Sequence, residues 1–166
     1  MAVSNEDMLA MARELPIPVP WDREAFIANL SELRGRPIRL VPTDTTAMAG
    51  SPCGLWLTRE HEDVIAHEIG TSPYHADQII CHEVGHMMLG HDRAPAFGQN
   101  RDREYDLCRK ILPAIDPRTI QAVLGRSNFD STQERDAEMF ANILMIAAAE
   151  AADEQSVMGG VFLRRR

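Results

Sequence analysis

Three of the six histidines in this 166-residue chain fall between His82 and His91, in the stretch ICHEVGHMMLGHD at 80–92. Ala76, Ile79, Ile80, Val84, Met87 and Met88 form an apolar stripe at helical spacing. The segment is therefore read as a helix over 74–90, ended by Gly90 in a left-handed conformation. His82 and His86 are four apart, so their imidazoles lie one above the other and can reach one ion from the same side. Glu83 is displaced by about 100° around the axis, beside such an ion rather than stacked with its ligands. Two neutral nitrogens on one rigid element, with a carboxylate next to them to take a proton from water, are what a catalytic zinc requires. The plainer reading is a partly buried helix whose histidines bond to neighbours. On an apolar helix, however, two imidazoles without partners cost desolvation energy, and a metal satisfies both.

Two histidines and a water leave tetrahedral zinc one protein ligand short. A third histidine at the metzincin spacing is excluded, because position 92 is Asp92 and the required glycine position is Leu89. His91 falls one residue too early. Cys53 is a superficial match to a deformylase-like arrangement, but the glycine-rich segment expected before it is missing. A carboxylate from a later helix remains. TQERDAEMFANILM, residues 132–145, presents Glu134 and Glu138 four apart on one face, and either could close the site. Glu134 also completes a capping box with Ser131, which would commit its carboxylate to a backbone amide instead of a metal.

HEVGHMMLGH, followed some forty residues later by Glu134, Ala137, Glu138, Phe140 and Ala141, resembles the ImmA/IrrE family of zinc metallopeptidases. The resemblance covers about 50–150 and is strong at the two motifs and loose elsewhere. It implies a zincin-like domain with His82, His86 and Glu134 as zinc ligands and Glu83 as general base. Ala137, Phe140 and Ala141 take packing positions. Glu138 stands where the family commonly has Asn, which leaves it a supporting role behind the ligands or a swap of ligand. The substrate implied is a repressor or antitoxin with a helix-turn-helix.

The elements that must position these residues are read as α+β, mostly helical, in one domain over 1–160. Residues 5–15 make a short helix stopped by Pro16, Pro18 and Pro20. A second helix follows, with Asp22 as N-cap, Ala25, Phe26, Leu30 and Leu33 on one face, and Gly35 at its end. After these N-terminal helices over 1–35 comes a small antiparallel sheet of about three strands over 36–70, with a polar turn at 60–63. Covering helices over 100–126 and a ligand-bearing helix over 131–152 complete the domain, with 161–166 as a flexible tail. The segment from Leu107 to Arg126 either covers the core or forms one wall of a substrate cleft. His61, His67 and His75 are scattered over a turn, a strand and a loop, and His91 either caps the end of the motif helix or stabilises a transition state. Tyr105, in an acidic stretch, receives no role.

Composition sets limits on function. The net charge of −8 argues against a general nucleic-acid surface, so a DNA-binding partner is expected to be a separate protein. The apolar run from Met139 to Ala149 is too short to span a bilayer, and the acidic N-terminal segment does not read as a signal peptide, so a cytoplasmic location is expected. Cys53, Cys81 and Cys108 are widely spaced without a CxxC and read as reduced, packed thiols. Zinc-dependent hydrolysis of a peptide bond in a protein partner is the expected activity, with an extended substrate docked along VIAHEI as an edge strand. The rival is a non-catalytic zinc module that binds a repressor without cutting it. The retained Glu83 argues against that rival, because a structural site needs no base.

Overall fold

The computed structural model describes residues 3–44, 54–93, 101–124 and 129–163. The fold is α+β, with five helices and a four-stranded mixed sheet. Helix α1 (Asn5–Glu14) starts where the Ser4 hydroxyl accepts from the Asp7 amide, and it buries Met8 and Ala12. Helix α2 (Arg23–Arg34) is capped by Asp22, whose carboxylate accepts from the Ala25 amide at 2.8 Å, and it ends at Gly35 with φ 64°. Its buried face carries Phe26, Ile27 and Leu30. Leu33, expected on that face, is 58% exposed, and Ile27 takes the inward position.

The sheet comprises β1 (Ile38–Thr43), β2 (Gly54–Arg59), β3 (Asp63–Glu68) and β4 (Ile120–Leu124), in the order β1-β3-β2-β4. The β2–β3 hairpin turns at 60–62, as its polar residues predict. Three expectations about the sheet are corrected. The sheet is mixed, because β1 runs parallel to β3, and it gains a fourth strand from the segment expected to be helical. IQAVL is a short apolar run, and periodicity alone cannot separate such a run from a buried helix. Pairing along β2 decides the outcome. The same order places β3, the VIAHE strand expected at an edge, between β1 and β2. Its backbone is already paired on both sides, and β1 and β4 are the edge strands among the described residues.

Side chains alternate across the strands and build a core on each face. Trp56 and Ile65 face helix α3 (Pro73–Met88) and helix α5 (Ser131–Leu163). Leu55, Leu57, Val64 and Ala66 face helix α4 (Arg101–Ile111), where Cys108, Ile111 and Leu112 cover them. The segment from Leu107 therefore covers the core on the face opposite the motif helix. Asp63, 1% exposed, fastens the end of α2 and the link that follows it to β3 through Arg34 and Arg36, each at 2.9 Å. Helix α5 continues well past 152 and through 161–163, where a tail was expected, while 164–166 and Cys53 lie outside the described residues. Among the described residues no helix is long and apolar enough to cross a membrane.

Candidate metal centre

Helix α3 begins at Ser72, whose hydroxyl accepts from the His75 amide, so His75 lies in the first helical turn rather than in a loop. Gly90, at φ 69°, adopts the left-handed conformation expected at the helix end. The last carbonyls are met by backbone: Leu89 N–H donates to Gly85 at 3.0 Å and Gly90 N–H to Met87 at 3.3 Å. His91 is thereby not needed as a cap. It sits in a short 3-10 turn (His91–Arg93), 8% exposed, and turns back toward the motif.

Helix α5 crosses α3 closely because Gly85 has no side chain. A Cβ there would lie 3.0 Å from the Ala137 carbonyl oxygen and 3.2 Å from the Ala137 Cα. The N-terminus of α5 is capped by a different pair from the one its sequence first offers. Asp130 accepts from the Thr132 and Gln133 amides, each at 2.8 Å, and the Gln133 side chain accepts from the Asp130 amide at 3.1 Å. This is a capping box one residue earlier than Ser131–Glu134. The shift releases Glu134 to face α3.

His82, His86 and Glu134 converge. The two Nε2 atoms lie 3.1 Å apart, and the Glu134 carboxylate straddles them, with Oε2 3.5 Å from His82 Nε2 and Oε1 3.4 Å from His86 Nε2. The carboxylate contacts are longer than ordinary N–H···O hydrogen bonds of roughly 2.7–3.2 Å. Each separation, taken singly and with a different carboxylate oxygen serving each histidine, is near the length of an edge of a tetrahedron whose bonds are roughly 2.0–2.2 Å, as for zinc with nitrogen and oxygen ligands. Glu134 Oε1 is buried and has no hydrogen-bond partner among the described residues. These three residues form a group that could hold a metal ion. Glu138 instead approaches the opposite edge of the His82 ring, with its Oε2 3.5 Å from Nδ1. That places it behind the His82 ring, away from the point where the other three groups converge.

Comparisons with protein-family models, curated proteins and solved structures found no match. The chemistry of the site therefore rests on its own geometry and charge. Burial would raise the Glu134 carboxyl, but His82 and His86 outweigh it and hold the group at about 2. Burial also opposes protonation of both imidazoles. Glu134, with Glu83 and Glu138 nearby, still raises His82, whereas His86 ends lowered. Glu83 is pushed up to about 7 by burial, with Glu134 adding to the rise and His82 opposing it. A cation held by the three ligands would pull both carboxyls down.

The three residues open onto a cleft of about 180 Å³, lined also by Gly54, His75, Gln78, Ile79 and Phe129. Sequence patterns did not single out Gly54, Gln78 or Phe129. At Gly54, the first residue of β2, a Cβ would lie 2.7 Å from Glu83 Oε1 and 2.8 Å from Ile79 Cγ2. The backbone of β2 thus presses against the Glu83 carboxylate, and no spacing pattern announces this. Phe129 stacks on the His86 ring with centroids 3.7 Å apart and planes at 12°. Its position just before the α5 cap is the only signal it gave. Cys81 and Cys108 are buried, with both thiols pushed up by burial, Cys108 to about 11, and packing is their role. His61 is exposed on the β2–β3 turn and His67 is buried on β3; neither lines the cleft.

Proposed function

We propose that this chain is a zinc-dependent endopeptidase of the HExxH type, on a zincin-like domain related to the ImmA/IrrE family. Its substrate is a peptide bond in a specific protein partner, a separate helix-turn-helix repressor or antitoxin. The observation that carries the reading is the Glu134 carboxylate straddling the two histidine Nε2 atoms, with Glu83 buried beside them on the same cleft. His82, His86 and Glu134 would hold the metal, and their two-nitrogen, one-carboxylate set is one that catalytic zinc uses. Zinc, when bound, supplies a Lewis acid that lowers the pKa of a water toward about 7 and polarises a carbonyl.

The rest of the chemistry belongs to the protein. Glu83 takes the proton of the attacking water and returns it to the leaving amine. Burial raises its carboxyl in opposition to the lowering that a bound cation would cause, and its Oε2 has no hydrogen-bond partner among the described residues to compete for the proton. Ile79 and Phe129 give the cleft apolar walls that exclude water around the scissile bond. Because β3 is paired on both sides, an extended substrate cannot add to it, and selectivity falls to the cleft and to docking of the whole partner.

Elemental analysis of the purified chain should find one zinc per chain, and co-expression with its regulator partner should yield discrete fragments. Glu83→Gln should retain zinc and partner binding and lower cleavage about 10²–10⁴-fold. Unchanged biological activity in that variant would instead favour a non-catalytic binding module.

A further inference from the structure

His91 Nδ1 lies 2.8 Å from His86 Nδ1, a hydrogen-bond distance between two ring nitrogens of the same kind. Two N–H groups cannot face each other at that separation, so one of the nitrogens is a bare acceptor. The other edge of His86 decides which. Its Nε2 points toward His82 Nε2 and Glu134, and a metal there uses the Nε2 lone pair. A neutral imidazole that donates this lone pair carries its proton on Nδ1. The acceptor is then His91 Nδ1, and the His91 proton sits on Nε2.

We propose that His91 is a positioning residue for the metal ligand His86: it accepts the His86 Nδ1–H and so keeps the His86 Nε2 lone pair aimed at the ion. This rests on the metal-centre reading above. It assigns a role that the Phe129 stack cannot fill, because stacking fixes the plane of a ring but not which edge points inward. A half-turn of His86 about its Cβ–Cγ bond preserves the stack with Phe129 and replaces Nε2 with Cε1 at the ligand position. Before an ion is bound, a polar partner on the Nδ1 side favours the orientation that aims Nε2 inward. His91 is that partner, buried and held close by the 3-10 turn that follows Gly90. Behind the His82 ring stands Glu138, farther off, with its Oε2 3.5 Å from Nδ1.

The test compares wild type with His91→Phe, which keeps an aromatic ring and removes the acceptor, and His91→Gln, which restores an acceptor oxygen. Zinc dissociation constants are measured by competition with a chromophoric chelator, and cobalt substitution reports ligand geometry through its visible absorption. The phenylalanine variant should bind zinc about 10–100-fold more weakly and shift the cobalt spectrum, and the glutamine variant should recover most of the loss. A folded His91→Phe chain with wild-type affinity, or a glutamine variant as weak as the phenylalanine one, overturns the role. Should His91→Phe not fold, long-range proton–nitrogen NMR of zinc-loaded wild type decides, with His86 expected as the Nδ1–H form and His91 as the Nε2–H form. A His91 proton on Nδ1 overturns the proposal. A wild-type chain that binds no zinc removes the metal centre and this role together, whereas normal wild-type binding with unaffected variants removes this role alone.

Discussion

Glu134 and Glu138 stand one turn apart on α5 and both reach His82, but at opposite edges of its ring. Their replacement by glutamine should therefore have unequal effects. Glu134→Gln removes an anionic ligand and should abolish stoichiometric zinc, while Glu138→Gln should weaken binding by about 10–100-fold, both read by metal titration. Loss confined to the Glu138 variant would reverse the assignment. Gly54 belongs to the same scale, because its missing side chain is the space that the Glu83 carboxylate occupies. Gly54→Ala should leave zinc bound while displacing the base, lowering turnover by roughly 10²-fold in a cleavage assay, since misplacement by about 1 Å costs that much. Wild-type turnover in that variant would mean that Glu83 has room to spare.

At the scale of elements, the site is a crossing of two helices. Gly85 lies between the two motif histidines, and its lack of a side chain sets how closely α5 approaches. Alanine is a better helix former than glycine by about 1 kcal/mol, so propensity alone predicts a more stable α3 in Gly85→Ala. The crossing predicts the reverse. The new methyl group would meet the Ala137 backbone, which has no rotamer with which to move aside, and would push Glu134 away from the histidines. Lower melting temperature and weaker zinc binding together would support this account; a more stable variant with wild-type affinity would refute it. The capping of α5 works in the same direction, because Asp130 and Gln133 satisfy the helix start that Glu134 could have served.

At the scale of the whole molecule, the proposed ligands come from two helices far apart in sequence, His82 and His86 on α3 and Glu134 on α5, so the proposal links metal binding to folding. An ion that binds the native chain and not the unfolded one stabilises it by about 4 kcal/mol at a thousandfold excess over its dissociation constant. For a chain of this size that corresponds to a rise in melting temperature of roughly 8–16 °C. Calorimetry with zinc and with a chelator should show this difference, and the Glu134→Gln variant should show little of it. Equal melting temperatures in zinc and chelator would mean that no ion joins the two helices.

Local chemistry was legible in the sequence. The His82–Glu83–His86 spacing, the Asp22 cap and the left-handed glycines at 35 and 90 depend on residues within one or two turns, where helix geometry is nearly fixed. Glu134 was legible as one of two choices, and its rival use as a cap could not be set aside from spacing. Tertiary structure decided the rest. Whether IQAVL became strand or helix depended on pairing along β2, and the position of VIAHE inside the sheet depended on β1 joining it in parallel. The contact of Gly54 with Glu83, the stack of Phe129 on His86 and the 2.8 Å approach of the His86 and His91 Nδ1 atoms join groups whose approach follows from packing. The sequence by itself determined which atoms could bind a metal. Only the packing of α5 against α3 determined which carboxylate meets the two histidines and what stands behind their rings, because side-chain direction between helices is set by their crossing and not by residue order.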